Sequence, residues 1–414
     1  MSSNKHITVI GGVYYEQCIW PSINELYGSA GRALSALQAL NCETKLYSCL
    51  NQNSAEVLKG RARAYSARFE ICSSLEESYE QPKFSYFHGL STPYISKIIE
   101  KNLTPNKIQD NNILVFGMLE SNPIVSGNKV VYDPQNPVSP RKFYENGSTA
   151  QELAIVLNIS EAYKLVKKEN LSISEIIDIL LHEGASIVVL KRGPLGISVF
   201  QKEDDKKIIE NKIPCYLTEN VYKIGSGDYF SACFAYQWMV QEQDPVQAAE
   251  LASKATAYYC ETAGYPSLEN LDEWNERVQP IQYRSSDKKP KVYLAGPFFT
   301  LNQIWLINET RSQLTEMGFD VFSPYHEIGI GDAETVVPKD IEGINNSDII
   351  FAIVDGLDAG TIFEIGYAKA KDKPVVIYSE NEKLDDLKMM YGTGCIISKD
   401  YVSSLYRALW ESLK

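Results

Sequence analysis

The chain has 414 residues, of which 44% are hydrophobic and 22% charged, and its net charge is −13. At about 150 residues per domain this length implies two or three domains, and the apolar content excludes disorder as the main state. So acidic a surface repels polyanions and excludes non-specific nucleic-acid binding, but it allows a small anion held by local backbone dipoles.

The eight cysteines form no C-x-x-C pair and are accompanied by only four histidines. A zinc site is therefore not expected, and the scattered thiols suit a reducing cytosol. The apolar stretch Ile7 to Val13 is short and soon meets Glu16, unlike a signal peptide. No apolar run approaches the ~18 residues of a membrane span. These features predict a soluble cytoplasmic protein without membrane contact.

In chain order, Ile7–Ile10 reads as a strand ending in Gly11-Gly12, and Gly31–Leu40 has helical spacing. Ile113–Phe116 and Lys129–Tyr132 are strands, Ser174–Leu181 is helical, and Ser186–Leu190 is a buried β-branched strand. Asp228–Val240 and Pro245–Cys260 are long apolar-striped helices, with Phe230, Phe234 and Trp238 as a core stripe. The run KEDDKK at 202–207 is a solvated turn between strands. This alternation predicts a mainly parallel sheet covered by helices. The polar, proline-bracketed segment around Gln279 to Pro290 marks a seam. It sets a large domain at 1–282, a linker at 283–289 and a small domain at 290–414.

In the small domain, strands are expected at Lys291–Ala295, Phe319–Phe322, Asp348–Val354, Pro374–Tyr378 and Cys395–Ile397. Helices fall at about 301–316, 338–346, 361–371 and 401–412. The pattern predicts a five-stranded, doubly wound (flavodoxin-like) parallel sheet, whose ligands sit outside the carboxyl ends of the strands.

Two constellations carry chemistry. Gly225-Ser226-Gly227-Asp228 stands directly before an apolar helix. Two glycines let an anion approach the backbone, and the helix N-terminus aims free N–H groups at it. Asp228 could take a proton from an attacking alcohol, or simply cap the helix. The second constellation is VDGLDAGTIFEIGY at 354–367, with Asp358 in a loop after a strand and Glu364 at the start of the next helix. Asp340 opens another helix, and Tyr293 lies in the first strand. Asp, Asp, Glu and Tyr are the parts needed to cleave a glycosidic bond through a carboxylate nucleophile with acid assistance. Against this, Thr361-x-x-Glu364 also spells a capping box, and Asp340 could be a first-turn acid favoured by the helix dipole.

Over roughly residues 5–270 the order of features resembles the ribokinase-like (PfkB) family of sugar and nucleoside kinases. The resemblance implies a three-layer α/β/α fold that uses ATP and Mg²⁺. It makes Gly225, Ser226 and Gly227 the anion hole and Asp228 the catalytic base. Asn158 and Glu161, in Asn158-Ile159-Ser160-Glu161, would order magnesium and phosphates. Lys191, Gly193 and Gly196, in VLKRGPLG, would lie beside the nucleotide. Asp133-Pro134-Gln135 resembles the family's D-x-N strand end, and Gly28 sits in its substrate-side glycine motif. Tyr222 and Lys223 stand where the family carries Asp-Thr. Glu16 replaces its substrate-gripping Asp, and Arg32 replaces its Asn. The short interval between Glu16 and Gly28 leaves little room for a lid of β-strands.

Residues 290–400 resemble the nucleoside 2-deoxyribosyltransferase family, through YLAGPFF, Asp340 and the D-x-G-T-x-x-E-x-G run at 358–366. The resemblance implies Glu364 as nucleophile, Asp340 and Asp358 as groups that contact and protonate the base, and Tyr293 as the residue that positions Glu364. It sets Gly296, Pro297, Phe298 and His326 around the substrate and requires no cofactor. Together the two resemblances imply small-molecule partners (nucleoside, nucleotide or sugar) and a homo-oligomer. The alternative is an N-glycosidase effector that depletes nucleotides or NAD, with a kinase-like domain that senses ligands or assembles with a regulatory protein.

Overall fold

The computed structural model describes residues 6–65, 68–73, 75–96, 107–136, 139–168, 170–204, 207–282 and 288–414. Of the expected linker at 283–289, residues 283–287 lie outside the described residues, as do 205 and 206 of the expected turn at 202–207. The chain divides into two compact units, Met1–Thr218 with Tyr222–Pro280, and Ile281–Lys414 with Glu219–Val221. Among the described residues, no helix is long and apolar enough to cross a membrane.

The strands of the large unit are β1 (His6–Ile10), β2 (Tyr15–Trp20), β3 (Ile23–Leu26), β4 (Glu43–Tyr47), β5 (Phe69–Ile71), β6 (Lys83–His88), β7 (Tyr94–Ile95), β8 (Lys107–Phe116), β9 (Ile124–Asp133), β10 (Thr149–Asn158), β11 (Ile187–Lys191), β12 (Ile197–Asp204) and β13 (Lys207–Ile213). One nine-stranded sheet runs in the order β13-β12-β11-β10-β9-β8-β1-β4-β5. It is parallel from β11 through β5 and ends on the other side in the antiparallel hairpin β12–β13. Its helices are α1 (Gly28–Ala39), α2 (Gln52–Tyr65), α3 (Ile159–Val166), α4 (Ile173–His182), α5 (Ser226–Ala235), α6 (Pro245–Thr262) and α7 (Leu268–Arg277).

Successive strand residues point to opposite faces. Val131, Val156 and Val189 join a core with Leu34 and Leu37 of α1, Phe234 of α5 and Ala252 of α6. Their neighbours Val130, Ile155 and Val188 join a second core with Leu165 of α3 and Ile176 and Leu180 of α4. Helices thus cover both faces, giving the expected three-layer α/β/α arrangement. The stripe Phe230, Phe234 and Trp238 is fully packed, although the chain leaves α-geometry at Tyr236 for a π-turn.

One expectation is overturned. The interval between Glu16 and Gly28 does hold β-strands. β2 and β3 form an antiparallel pair there, and β6 and β7 extend it into a second, four-stranded sheet ordered β3-β2-β6-β7. A tight reversal around Trp20 and Pro21 makes the room.

In the small unit the strands are β14 (Lys291–Ala295), β15 (Asp320–Phe322), β16 (Ile349–Ile353), β17 (Val375–Tyr378) and β18 (Ile396–Ser398). They form an all-parallel sheet ordered β15-β14-β16-β17-β18. The helices are α8 (Leu301–Glu316), α9 (Pro324–Glu327), α10 (Ala333–Asn346), α11 (Ala359–Ala370), α12 (Lys388–Gly392) and α13 (Tyr401–Ser412). The chain reverses direction across β14, and such a switch point opens a crevice at the carboxyl ends of the strands. Helix α10 begins five residues earlier than expected, at the Asp332 cap, and carries Pro338 inside it.

Candidate active sites

In the small unit, Tyr293 is completely buried in β14 and its ring stacks on Phe322 at 5.5 Å. It shares one face of the sheet with Ile350 and Ala352, and there meets Ile344 of α10 and Ile365 and Ala368 of α11. Asp340 lies one turn before Ile344, and Glu364 one turn before Ala368. The i, i+4 spacing puts each acid on the packed stripe of its helix, just beyond the core. The Tyr293 hydroxyl donates a 2.6 Å hydrogen bond to Glu364 Oε1. Burial pushes the Glu364 carboxyl up to about 7. The tyrosine hydroxyl opposes that rise, and the charges of Asp340 and Asp358 add to it. Burial also raises Asp340, against the pull of the Tyr293 hydroxyl. Asp340 Oδ1 is buried without a hydrogen-bond partner among the described residues.

This geometry decides between the alternatives in the sequence. Thr361 and Glu364 do not form a capping box. Asp358 is the N-cap of α11, its Oδ2 accepting from Thr361 N at 2.8 Å and Thr361 Oγ1 at 3.0 Å, while Glu364 turns to Tyr293. Asp340 is mid-helix, so the dipole argument for a first-turn acid does not apply to it.

Gly296, Pro297 and Phe298 follow β14 at the same carboxyl edge, and Phe298 contacts Tyr325 with ring centroids 5.4 Å apart. His326 is held by Ser323 Oγ at 3.0 Å and Asn308 Oδ1 at 2.8 Å. It lines a cleft with Arg311, Ser312 and Thr315 that contains none of the three acids. Its ring meets Tyr325 edge-on at 4.9 Å, and Tyr325 contacts Phe298, so it stands two rings away from the segment after β14.

In the large unit, Gly225 is the N-cap of α5, with φ of 74°, and Asp228 lies in the first turn. The cap is thus the glycine, and the Asp228 side chain is turned elsewhere. Its Oδ1 accepts from Gln135 Nε2 at 2.6 Å, and its Oδ2 lies 3.6 Å from Arg32 Nε. Arg32 Nη2 also donates to Glu16 Oε2. One guanidinium, 1% exposed, therefore faces both acids of the expected acceptor side. Burial raises the Glu16 and Asp228 carboxyls, and the Arg32 charge opposes both shifts. Gly28, with φ of 58°, opens α1 beside Glu16. A Cβ there would strike Tyr14 N and Gly12 O at 2.6 and 2.7 Å.

Two lysines flank the α5 N-terminus. Lys191 donates to Asp133 Oδ2 at 2.9 Å, and Lys223 to Ser226 Oγ at 2.9 Å. Burial opposes the Lys191 charge, but Asp133, Glu161 and Asp228 overcome it and raise its pKa. Burial lowers Lys223. Gly193 and Gly196 form the turn after β11, and a Cβ at Gly196 would lie 2.2 Å from Ile213 O. Asn158 and Glu161 form a reciprocal capping box on α3, with bonds of 2.8 and 2.9 Å. Two lysines beside a helix N-terminus fit a polyphosphate. No group of three or more His, Cys, Asp or Glu suited to a metal occurs among the described residues. Glu161 is the carboxylate of this set that would hold a magnesium ion, which would offset phosphate charge there.

The structure thus brings Glu364, Tyr293 and Asp340 together in one unit, and Gly225–Asp228, Lys191 and Glu16 in the other. Sequence reasoning singled out Arg32 and Gln135 only as departures from, or parts of, family motifs, and did not single out Tyr259, whose hydroxyl accepts from Arg32.

Residues 126–268 match the family model described as pfkB family carbohydrate kinase, and residues 292–397 match that of nucleoside 2-deoxyribosyltransferase. An uncharacterized Ureaplasma parvum protein, UU063, is 35% identical over 102 residues, a match spanning 21% of this chain and 65% of the relative. Among solved structures, Arabidopsis thaliana ribokinase complexed with ribose and ATP aligns with a TM-score of 0.47 at 12% identity, over 66% of this chain and 99% of that one. The nucleoside kinase of Methanocaldococcus jannaschii aligns with a TM-score of 0.49 at 14% identity, over 66% and 98%. The chain joins an N-terminal domain that resembles the PfkB carbohydrate kinases to a C-terminal domain that resembles the nucleoside 2-deoxyribosyltransferases.

Proposed function

We propose that the small unit cleaves or exchanges an N-glycosidic bond through a covalent glycosyl–Glu364 intermediate. The ionised Glu364 oxygen attacks the anomeric carbon, the C–N bond breaks, and its electron pair leaves on the base. Asp340 or Asp358 gives the departing base a proton, which makes it a better leaving group. An acceptor base or water then attacks the same carbon and frees Glu364, so the chemistry is transfer or hydrolysis. Asp340 Oδ1 is available to accept an N–H of the base, and Gly296, Pro297 and Phe298 would line the sugar and base. The observation that carries this reading is the 2.6 Å bond from Tyr293 to Glu364, which takes the glutamate out of a capping role. Glu364→Ala should abolish free-base release, by at least about 10³-fold, in a correctly folded protein. Base release retained in that variant would remove Glu364 as nucleophile.

In the same reading the large unit holds ATP with its phosphates against Gly225–Gly227, Lys191 and Lys223, and a magnesium ion near Asn158 and Glu161. Bound nucleotide would supply the phosphoryl group, and the metal would offset its charge. Asp228 would then take the proton of a sugar or nucleoside hydroxyl held by Glu16 and Gly28. A sugar freed by the small unit is a natural acceptor, which would couple two cytoplasmic activities in one homo-oligomer. The second reading, a sensing module beside a nucleotide- or NAD-depleting glycosidase, is favoured by Arg32 lying between Glu16 and Asp228. ATP turnover separates the two. The kinase reading expects Asp228→Asn to lower it by at least about 10²-fold, and the sensing reading expects no change.

A further inference from the structure

We propose that Arg32 is a built-in occupant of the acceptor side of the large unit, so that this unit as folded holds its anion without passing a phosphoryl group to a hydroxyl. This rests on the reading of residues 225–228 as an anion site and deepens the second, sensing reading of the large unit: with Arg32 in place Asp228 takes no proton, and the phosphoryl transfer of the first reading belongs only to a protein without that guanidinium.

An acceptor hydroxyl must come within about 2.6–3.2 Å of the Asp228 carboxylate. Gln135 donates to Oδ1 at 2.6 Å and occupies one of that oxygen's two acceptor sites, and Oδ2 faces Arg32 Nε at 3.6 Å. An oxygen inserted in line between those two atoms would need about 5.5 Å, two hydrogen-bond lengths. The opposite wall is closed as well, because Glu16 accepts from the same guanidinium.

The arginine is anchored through Nη1 and Nη2, while its buried Nε makes no hydrogen bond among the described residues. Nη1 donates to Tyr259 OH at 2.7 Å and reaches Tyr265 OH at 3.4 Å, and the guanidinium carbon lies 4.6 Å from the centre of the Tyr27 ring. Tyr259 OH in turn donates to Ile224 O at 2.8 Å, which ties the arginine to the residue before the anion turn. The turn itself is shaped around it, since a Cβ at Gly225 would fall 1.6 Å from Arg32 Nε. A group 1% exposed, with two carboxylates and three tyrosines around it, is a fixed part of the site and not a surface side chain that has folded inward.

Removing the guanidinium restores the missing step. A hydroxyl or water oxygen attacks the terminal phosphorus of a nucleoside triphosphate, and the bond from that phosphorus to the diphosphate oxygen breaks. The diphosphate leaves with the electron pair, and the hydroxyl proton passes to Asp228.

The test uses the full chain, ATP with Mg²⁺ and D-ribose. Wild type should gain melting temperature with ATP, release ADP no faster than the blank, and show no heat of D-ribose binding. Arg32→Asn should keep the ATP-induced shift, release ADP at least tenfold faster, and bind D-ribose in the absence of ATP. Asp228→Asn in that background should return ADP release to the blank. Wild type turning over as fast as Arg32→Asn overturns the proposal while leaving the kinase reading standing. An Arg32→Asn protein that still responds to ATP yet is no faster overturns it too. If Arg32→Asn loses the ATP response, Glu16→Gln decides. It frees one anchor of the guanidinium and should raise ADP release at least threefold, and no rise overturns the proposal. Absence of an ATP-induced shift in wild type overturns both the proposal and the anion-site reading.

Discussion

Each unit sets a carboxylate in the first two turns of a helix, Asp228 buried and Glu364 half-buried, and each gives it a different partner. Glu364 receives a neutral hydroxyl from Tyr293, with two further acids nearby. Asp228 receives an amide from Gln135 and a guanidinium from Arg32, which Glu16 shares. A hydroxyl orients an acid without cancelling its charge, so Glu364 keeps a proton equilibrium close to neutral pH and an oxygen able to attack. A buried guanidinium neutralises its acids and holds them in place. The lesson is that burial alone does not mark a reactive acid; what faces it decides.

The contrast can be tested first through stability. Arg32→Ala leaves two acids buried without their cation, and should cost the large unit about 3–5 kcal/mol in thermal or denaturant melts. A cost near zero would mean the arginine is not the structural centre of that site. The small unit should respond in the opposite sense. The folded pKa of Glu364, about 7, stands above the ordinary 4.5. The folded state therefore binds more protons between those values, and stability is full below about 4.5 and falls as pH rises through 7. Glu364→Gln, fixed in the neutral form, should stabilise the small unit by about 2–3 kcal/mol at pH 8 and not at pH 4. The same titration predicts base release that rises with pH through about 7, because the nucleophile must be ionised. Tyr293→Phe removes the hydroxyl that holds Glu364 down. It should lower the rate about tenfold and move the midpoint of the pH profile upward. An unmoved midpoint would show that the hydroxyl does not act on Glu364.

Much of the small unit was legible because its strands are short, apolar and separated by well-punctuated helices. The ends of Leu301–Glu316 and Tyr401–Ser412 coincide with the expected ranges. Asp340 does not open its helix as expected: the Asp332 cap starts α10 at Ala333, five residues before the expected start, and Pro338 lies inside it. The second sheet of the large unit was not legible. Its pairing joins Tyr15 to Lys83 across a long stretch of chain, β6 shows no alternation, and the buried positions of β2 are Glu16 and Cys18, which do not read as an apolar face. The sequence marked Arg32 as unusual, but its partners come from a separate sheet and from two helices far along the chain. No local pattern could name Glu16, Asp228 and Tyr259 as its neighbours.

The most direct measurement is mass spectrometry of free base, made on wild type and Glu364→Ala incubated with a panel of nucleosides, nucleotides and NAD, with and without an acceptor base. Free or exchanged base is expected from wild type alone, together with a glycosyl adduct on the peptide that carries Glu364. Base released equally by the two proteins would contradict that expectation.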